Sequence, residues 1–171
     1  MSDHILLKQV ELSDAEDIFQ TINSQRAYLG KWLPFVAVSL AIENTVFFID
    51  KMLNDTQDNY IFVIHYDGVF AGLIGFKTND KQNKRTEIGY WLSKNFQKKG
   101  IVTQAVKSMC QFAFEELRMN RIQIRCAVGN EPSKKIPQKL GFVLEGIERD
   151  GELLTGGIFT DLEVYSKLKN D

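Results

Sequence analysis

Residues 95–103 read Asn-Phe-Gln-Lys-Lys-Gly-Ile-Val-Thr, a lysine-rich turn closed by glycine and followed at once by a helical pattern. Val102, Ala105, Val106, Met109, Ala113 and Leu117 fall on one stripe of that helix, with Gln104, Lys107, Ser108, Gln111 and Glu115 largely opposite. The first N–H groups of a helix have no carbonyl partner and the macrodipole adds positive charge there. A glycine-containing turn at this place therefore suits an anion such as a phosphate. Gly100 lets a ligand approach the backbone closely, and Lys98 and Lys99 supply charge. The same nine residues also read as a solvated basic turn, so their neighbours must decide.

Upstream, Arg85 to Leu92 (R-T-E-I-G-Y-W-L) has the composition of a strand, with Gly89 inside it marking a bulge or a close backbone approach. Downstream, Arg121 to Val128 alternates Ile122, Ile124, Cys126 and Val128 with polar residues, the pattern of a half-buried strand. Strand, turn, helix and strand in this order make a βαβ unit with a parallel strand pair and a right-handed crossover. The turn then lies at the carboxyl end of a strand, where α/β proteins bind ligands.

Nearer the amino terminus, Ile5 to Val10 reads as a first strand, and Ser13-Asp14-Ala15-Glu16 has the S-x-x-E form of a capping box. The helix it opens carries Ala15, Ile18, Phe19, Ile22 and Leu29 on one face and ends near Gly30. A Pro-containing aromatic connection, Lys31 to Phe35, leads to a second helix from about Ser39, with Ile42, Val46, Ile49 and Leu53 facing inward. Tyr60 to Tyr66 and Val69 to Thr78 flank Asp67-Gly68 as a hairpin. On the carboxyl side, Gly129 to Ser133 is a turn opening a short helix, Phe142 to Ile147 a strand, and Phe159 to Leu168 the last strand. Asp150-Gly151 and Thr155-Gly156-Gly157 are both turn signals, which leaves that hairpin's register open.

The length suits a single domain over residues 1–171, and a net charge of -1 argues against non-specific nucleic-acid binding as the main activity. Small-molecule or protein partners fit better. Cys110 and Cys126 lie in apolar patterns without metal-ligand spacing, so neither a metal nor a disulfide framework is expected. The opening Met-Ser-Asp-His lacks a signal sequence, and no run approaches the ~20 apolar residues of a membrane span, so the expected location is the cytoplasm with no membrane partner.

In combination, E-I-G-Y-W-L, F-Q-K-K-G-I-V-T, G-N-E-P-S and K-L-G-F closely resemble the GNAT superfamily of N-acetyltransferases. Within it, W-L-P and the final F-T-D-L-E-V-Y-S resemble the RimJ/RimL branch, which acetylates ribosomal-protein N-termini. The resemblance runs from about Ile5 to Leu168. It implies the acyl-CoA N-acyltransferase fold, an α/β (α+β) arrangement of a mixed, mostly antiparallel sheet. A central parallel pair splays, and helices cover both faces. The family's pyrophosphate signature, Q/R-x-x-G-x-G/A, is matched by Gln97 and Gly100, and Val102 departs at the last small position.

What the resemblance implies is acetyl-CoA as co-substrate, without a metal, its pyrophosphate on the N–H groups of Gln97, Lys98, Lys99, Gly100, Ile101, Val102 and Thr103. Its pantetheine runs along Tyr90-Trp91-Leu92 and bonds Asn130. An amine attacks the thioester directly, with a strand N–H near Tyr90 as donor to the oxyanion. Glu87, matching a frequently acidic family position, is the expected base, directly or through water. Ser133 matches the family's N-x-x-S position and is expected at the CoA sulfur; its other reading is a plain helix cap. Many relatives place a general-acid tyrosine where this chain has Pro137, and the sequence offers no account of that proline. On the acceptor side, Arg26, Tyr28, Trp32 and Phe35, with Asp161 and Tyr165 from the last strand, are expected to form the cleft; core packing is their other reading. His4 and His65 carry no expected role.

The reading is thus an acetyl-CoA-dependent N-acetyltransferase acting on a primary amine, foremost a protein or peptide N-terminus of the ribosomal-protein type. Its rivals are a small-amine acetyltransferase (polyamine, amino acid or aminoglycoside) and a non-catalytic acyl-CoA-binding module. Exposed edges of the final strands leave room for a homodimer.

Overall fold

Seven strands form one sheet in the order β1-β2-β3-β4-β5-β7-β6 in a computed structural model that describes residues 4–54 and 60–171. In chain order they are β1 (Ile5–Gln9), β2 (Ile61–Tyr66), β3 (Val69–Asp80), β4 (Arg85–Leu92), β5 (Arg121–Ala127), β6 (Val143–Leu154) and β7 (Ile158–Leu168). Every neighbouring pair is antiparallel except β4 and β5. The helices are α1 (Ala15–Ser24), α2 (Arg26–Leu29), α3 (Ile42–Asn54), α4 (Ile101–Glu115) and α5 (Glu131–Lys139).

Strand alternation sends successive apolar residues to opposite faces and so builds two cores. Ile64, Ile74, Ile88, Ile122 and Ile124 meet Ala105, Val106 and Met109 of α4 on one face. Val63, Leu73 and Trp91 meet Ile18, Ile22 and Ile49 of α1 and α3 on the other. Each large aliphatic side chain so buried contributes about 1.5–3 kcal/mol. Helices therefore cover both faces, as the resemblance implied. Among the described residues no helix is long and apolar enough to cross a membrane; Met1-Ser2-Asp3 lies outside them.

Several local expectations are corrected. Glu11 N donates to Asp14 Oδ2 at 2.8 Å over a 3-10 turn, Leu12–Asp14, so the cap precedes the S-x-x-E tetrad. The first helix breaks at Gln25 (φ -129°, ψ 27°), which separates α1 from α2. In α3 it is Thr45 and Ile49 that are buried, whereas Val46 and Leu53 are exposed, because the helix packs on α1 along one narrow stripe. β5 stops at Ala127 and Val128 is exposed.

The β6–β7 register, left open by the sequence, turns at one of the two signals and bulges at the other. Leu154 pairs with Ile158, so Thr155-Gly156-Gly157 is the hairpin turn, and pairing jumps from Glu148–Leu162 to Glu152–Thr160. Asp150 and Gly151 lie inside this bulge, where Asp161 Oδ1 accepts from Asp150 N at 2.9 Å. The bulge expected near Gly89 lies instead on β3, between Phe76 and Thr78. Gly89 answers a close approach: a Cβ there would stand 2.8 Å from Lys77 Cε, because the lysine stem crosses over it.

Candidate active site

β4 and β5 pair only over Arg85–Arg121, Thr86–Ile122 and Glu87–Gln123 and then diverge. Beyond Glu87 the two strands share no ladder pairing, so their facing edges are open to a ligand's amides. At the carboxyl end of β4 the chain makes a 3-10 turn (Lys94–Phe96) and enters α4 through Gly100, whose φ of 74° is left-handed. No heavy atom lies within 4 Å of a Cβ built on Gly100, so the approach to the backbone is clear.

The first N–H inside α4 with a helical acceptor is Gln104, on Gly100 O at 3.1 Å. Those of Ile101, Val102 and Thr103 precede it, at the positive end of the helix dipole. Val102 and Ile101 bury their side chains in the core. The departure of Val102 from a small residue thus leaves the outer surface of the turn unchanged. Lys99 Nζ stands 4.7 Å from the Tyr66 ring centroid, which holds its charge beside the turn, while Lys98 is exposed. Gln97 Nε2 donates to Tyr28 Oη at 2.6 Å and so ties the turn to α2. This donor set fits a pyrophosphate.

A cavity of about 1020 Å³ runs from Trp32 and Phe35 past Tyr90 and Trp91 to Asn130 and Ser133. Leu92 packs against the α4 core instead. Trp32 closes one wall: its indole lies 3.8 Å from the position of a Gly129 Cβ, against the turn that carries Asn130. Asn130 is the residue before α5, where its carbonyl accepts from Ser133 N and Lys134 N. Ser133 Oγ is 3.4 Å from Cys126 Sγ and 3.4 Å from Tyr90 Oη. Burial raises the pKa of the Cys126 thiol and keeps it neutral.

The remaining expected residues do not line the cavity. Glu87 is 5% exposed and held by Arg125 Nε at 3.0 Å and Lys77 Nζ at 3.5 Å. Arg26 donates to the carbonyls of Val36 and Ser39, shaping the wall from behind. Tyr28 serves the bond to Gln97, and Asp161 serves the β6 bulge. Tyr165, 2% exposed, lies in the core and donates to Glu163 Oε2 at 2.6 Å; burial pushes its pKa up to about 12.

The cavity is also lined by residues that the sequence reading passed over: Phe47 and Phe48 of α3, and the carboxylates Asp80 and Glu152. The aromatics were detectable as apolar residues off the packing stripe of a helix. Glu152 was not, because its place depends on the β6–β7 register, which the sequence left open. Among the described residues no cluster of His, Cys, Asp and Glu is placed to hold a metal ion.

A profile of the family described as "Acetyltransferase (GNAT) domain" matches residues 4–143. Over its whole length the chain is 37% identical to YdaF of Bacillus subtilis strain 168, which carries the name of a ribosomal N-acetyltransferase, and the match spans 94% of that protein. It is 27% identical to the ribosomal-protein-serine acetyltransferase of Escherichia coli K12, over 98% of this chain and 94% of that one. The microcin self-immunity acetyltransferase MccE, solved with acetyl-CoA and AMP, superposes with a TM-score of 0.92 at 34% identity, covering 98% of this chain and 93% of that one.

Proposed function

Because the chain belongs to the GNAT acetyltransferase family, we propose that this acetyl-CoA-dependent N-acetyltransferase acts on the α-amine of a protein or peptide N-terminus. The observation that carries this reading is the cavity continuous from the Trp32–Phe35 wall to Asn130 and Ser133. An extended segment entering past the aromatics brings its terminal amine to the splay. The names of the Bacillus and Escherichia relatives support a ribosomal-protein acceptor, and the location that follows is the cytoplasm. The edge strand β6 exposes Val143, Leu144 and Ile147, which supports pairing of two copies.

Acetyl-CoA supplies a thioester carbonyl; a C–N bond forms to it as the C–S bond breaks. The turn from Gln97 to Thr103 holds the pyrophosphate, and Asn130 with the open edge of β4 holds the pantetheine amides. Ser133 Oγ faces the sulfur and donates to the departing thiolate. The amine must lose a proton before or during attack. Asp80 lines the cavity but is tied up by Asn83 and Arg85, which leaves two carboxylates to weigh. Glu87 has both oxygens beside cations and does not line the cavity, although its buried Oε1 has no hydrogen-bond donor. Glu152 lines the cavity itself, and we assign the proton to it, with Glu87 fixing Arg125 and Lys77 around the splay.

The test is release of CoA thiol from acetyl-CoA over a panel of N-terminal peptides, polyamines, aminoglycosides and aminoacyl nucleotides, with mass spectrometry locating the acetyl group. Acetylation at a peptide α-amine supports the reading. Acetylation of small amines alone replaces it with a second one, favoured by the aromatic lining of Trp32, Phe35 and Phe47 and by the AMP bound in the MccE structure.

A further inference from the structure

Pro137 stands at the seventh position of α5, inside the helix and buried. A residue there would donate its N–H to the carbonyl of Ser133 one turn earlier; proline has no hydrogen to give, and its ring pushes that carbonyl away from the helix axis. The carbonyl is nevertheless satisfied. Tyr90 Oη, reaching across from β4, donates to it at 3.0 Å. The same tyrosine oxygen lies 3.4 Å from Ser133 Oγ, which donates to it.

We propose that Pro137 and Tyr90 are a positioning pair for Ser133: the proline vacates a backbone acceptor, the tyrosine hydroxyl occupies it, and the tyrosine lone pairs then orient the serine hydroxyl. This rests on the reading that Ser133 faces the CoA sulfur. With its own hydrogen committed to the carbonyl, Tyr90 presents only acceptor character to Ser133. A 3.4 Å contact is at the weak limit for O–H···O, so the serine hydrogen is held in place yet is readily surrendered to a thiolate, whose charge makes the stronger bond. Burial raises the pKa of the Tyr90 hydroxyl, so it stays protonated and keeps its donor role at neutral pH. The bond also pins α5 to β4 across the diverging strands. The helix that starts after Asn130 and carries Ser133 is thereby tied to β4 as well as packed on β5 and β7.

The pairing is tested by a double-mutant cycle read as melting temperature. Tyr90→Phe strands the Ser133 carbonyl and lowers the melting temperature by about 4 °C. In the Pro137→Ala background the alanine N–H takes that carbonyl, and the same substitution costs less than half as much. Equal losses in both backgrounds overturn the pairing. Positioning is tested by titrating CoA and desulfo-CoA, a readout that needs no acceptor. The natural chain favours CoA by about fivefold. Ser133→Ala abolishes the preference, and so does the double variant Tyr90→Phe/Pro137→Ala, although its helix bond is restored. A preference retained in the double variant overturns the positioning role while leaving Ser133 at the sulfur. A preference retained in Ser133→Ala overturns the sulfur reading itself, and the positioning role with it.

Discussion

Arg125 Nε donates to Glu87 Oε2 at 3.0 Å at the level where β4 and β5 stop pairing, and Lys77 Nζ stands 3.5 Å from the other oxygen. Both oxygens of this buried carboxylate are engaged by cations, which ties β4 to its neighbours at this level. Glu87→Gln is therefore expected to lower stability by about 2 kcal/mol, since Arg125 keeps only Glu148 as a charged partner, and to lower kcat less than tenfold. Glu152→Gln is expected to lower kcat about 100-fold with an unchanged melting temperature. Steady-state kinetics and thermal melts of both variants, at saturating substrates, decide the assignment; the reverse pattern makes Glu87 the base.

Gly100 combines a φ of 74° with open space around a Cβ. Alanine there costs about 1 kcal/mol of backbone strain without a clash. On the proposed function, however, the methyl projects into the space that the pyrophosphate takes. The expected result is a melting temperature lowered by about 3 °C for Gly100→Ala. The KM for acetyl-CoA rises further from alanine to valine, with kcat little changed. A KM indifferent to side-chain size removes this turn from the pyrophosphate site.

Glu145 is held by Arg121 and by the Ser166 hydroxyl, which bring its pKa from 4.5 down to about 2. A carboxyl whose folded pKa is depressed stabilises the fold fully above its unfolded value and loses that contribution as pH falls through the folded one. Melting curves of the natural chain and Glu145→Gln should differ by a constant amount above about pH 5 and converge toward pH 2. A constant difference across that window contradicts the linkage.

Arg26 reaches the carbonyls of Val36 and Ser39 and the Asn23 side chain, so one guanidinium shapes the segment that carries Phe35 into the cavity. Arg26→Ala is expected to raise the acceptor KM about tenfold by loosening the wall. The acetyl-CoA KM stays as it was. Initial-rate measurements with each substrate varied in turn separate the two constants, and a change in the acetyl-CoA constant alone would place Arg26 elsewhere.

The turn from Gln97 to Thr103, the amphipathic α4 and the alternating β5 were legible because each is a local pattern: a glycine at a helix start, a 3.6-residue stripe, a period of two. Those patterns imposed the βαβ unit, and the parallel pair followed. Asn130, Ser133, Trp32 and Phe35 were likewise recognisable and do line one cavity. Local reading failed where a side chain answers a partner far along the chain. Asp161 looked like an acceptor residue and proves to satisfy Asp150 N, eleven residues away, in a bulge. Tyr165, an aromatic on an alternating strand, looked equally suited to a cleft or a core, and only the packing of α5 over β7 selects the core.

Amphipathic period, turn chemistry and the order of strands and helices were determined by the sequence alone, because they depend on the backbone preferences and burial of residues near one another. Three-dimensional packing alone decided which carboxylates line the cavity and why a proline is tolerated inside α5. Those outcomes depend on contacts across the sheet, Arg125 to Glu87 over 38 residues and Tyr90 to the Ser133 carbonyl over 43. A hydrogen bond is directional and short, so it exists only once the fold has brought its two ends together.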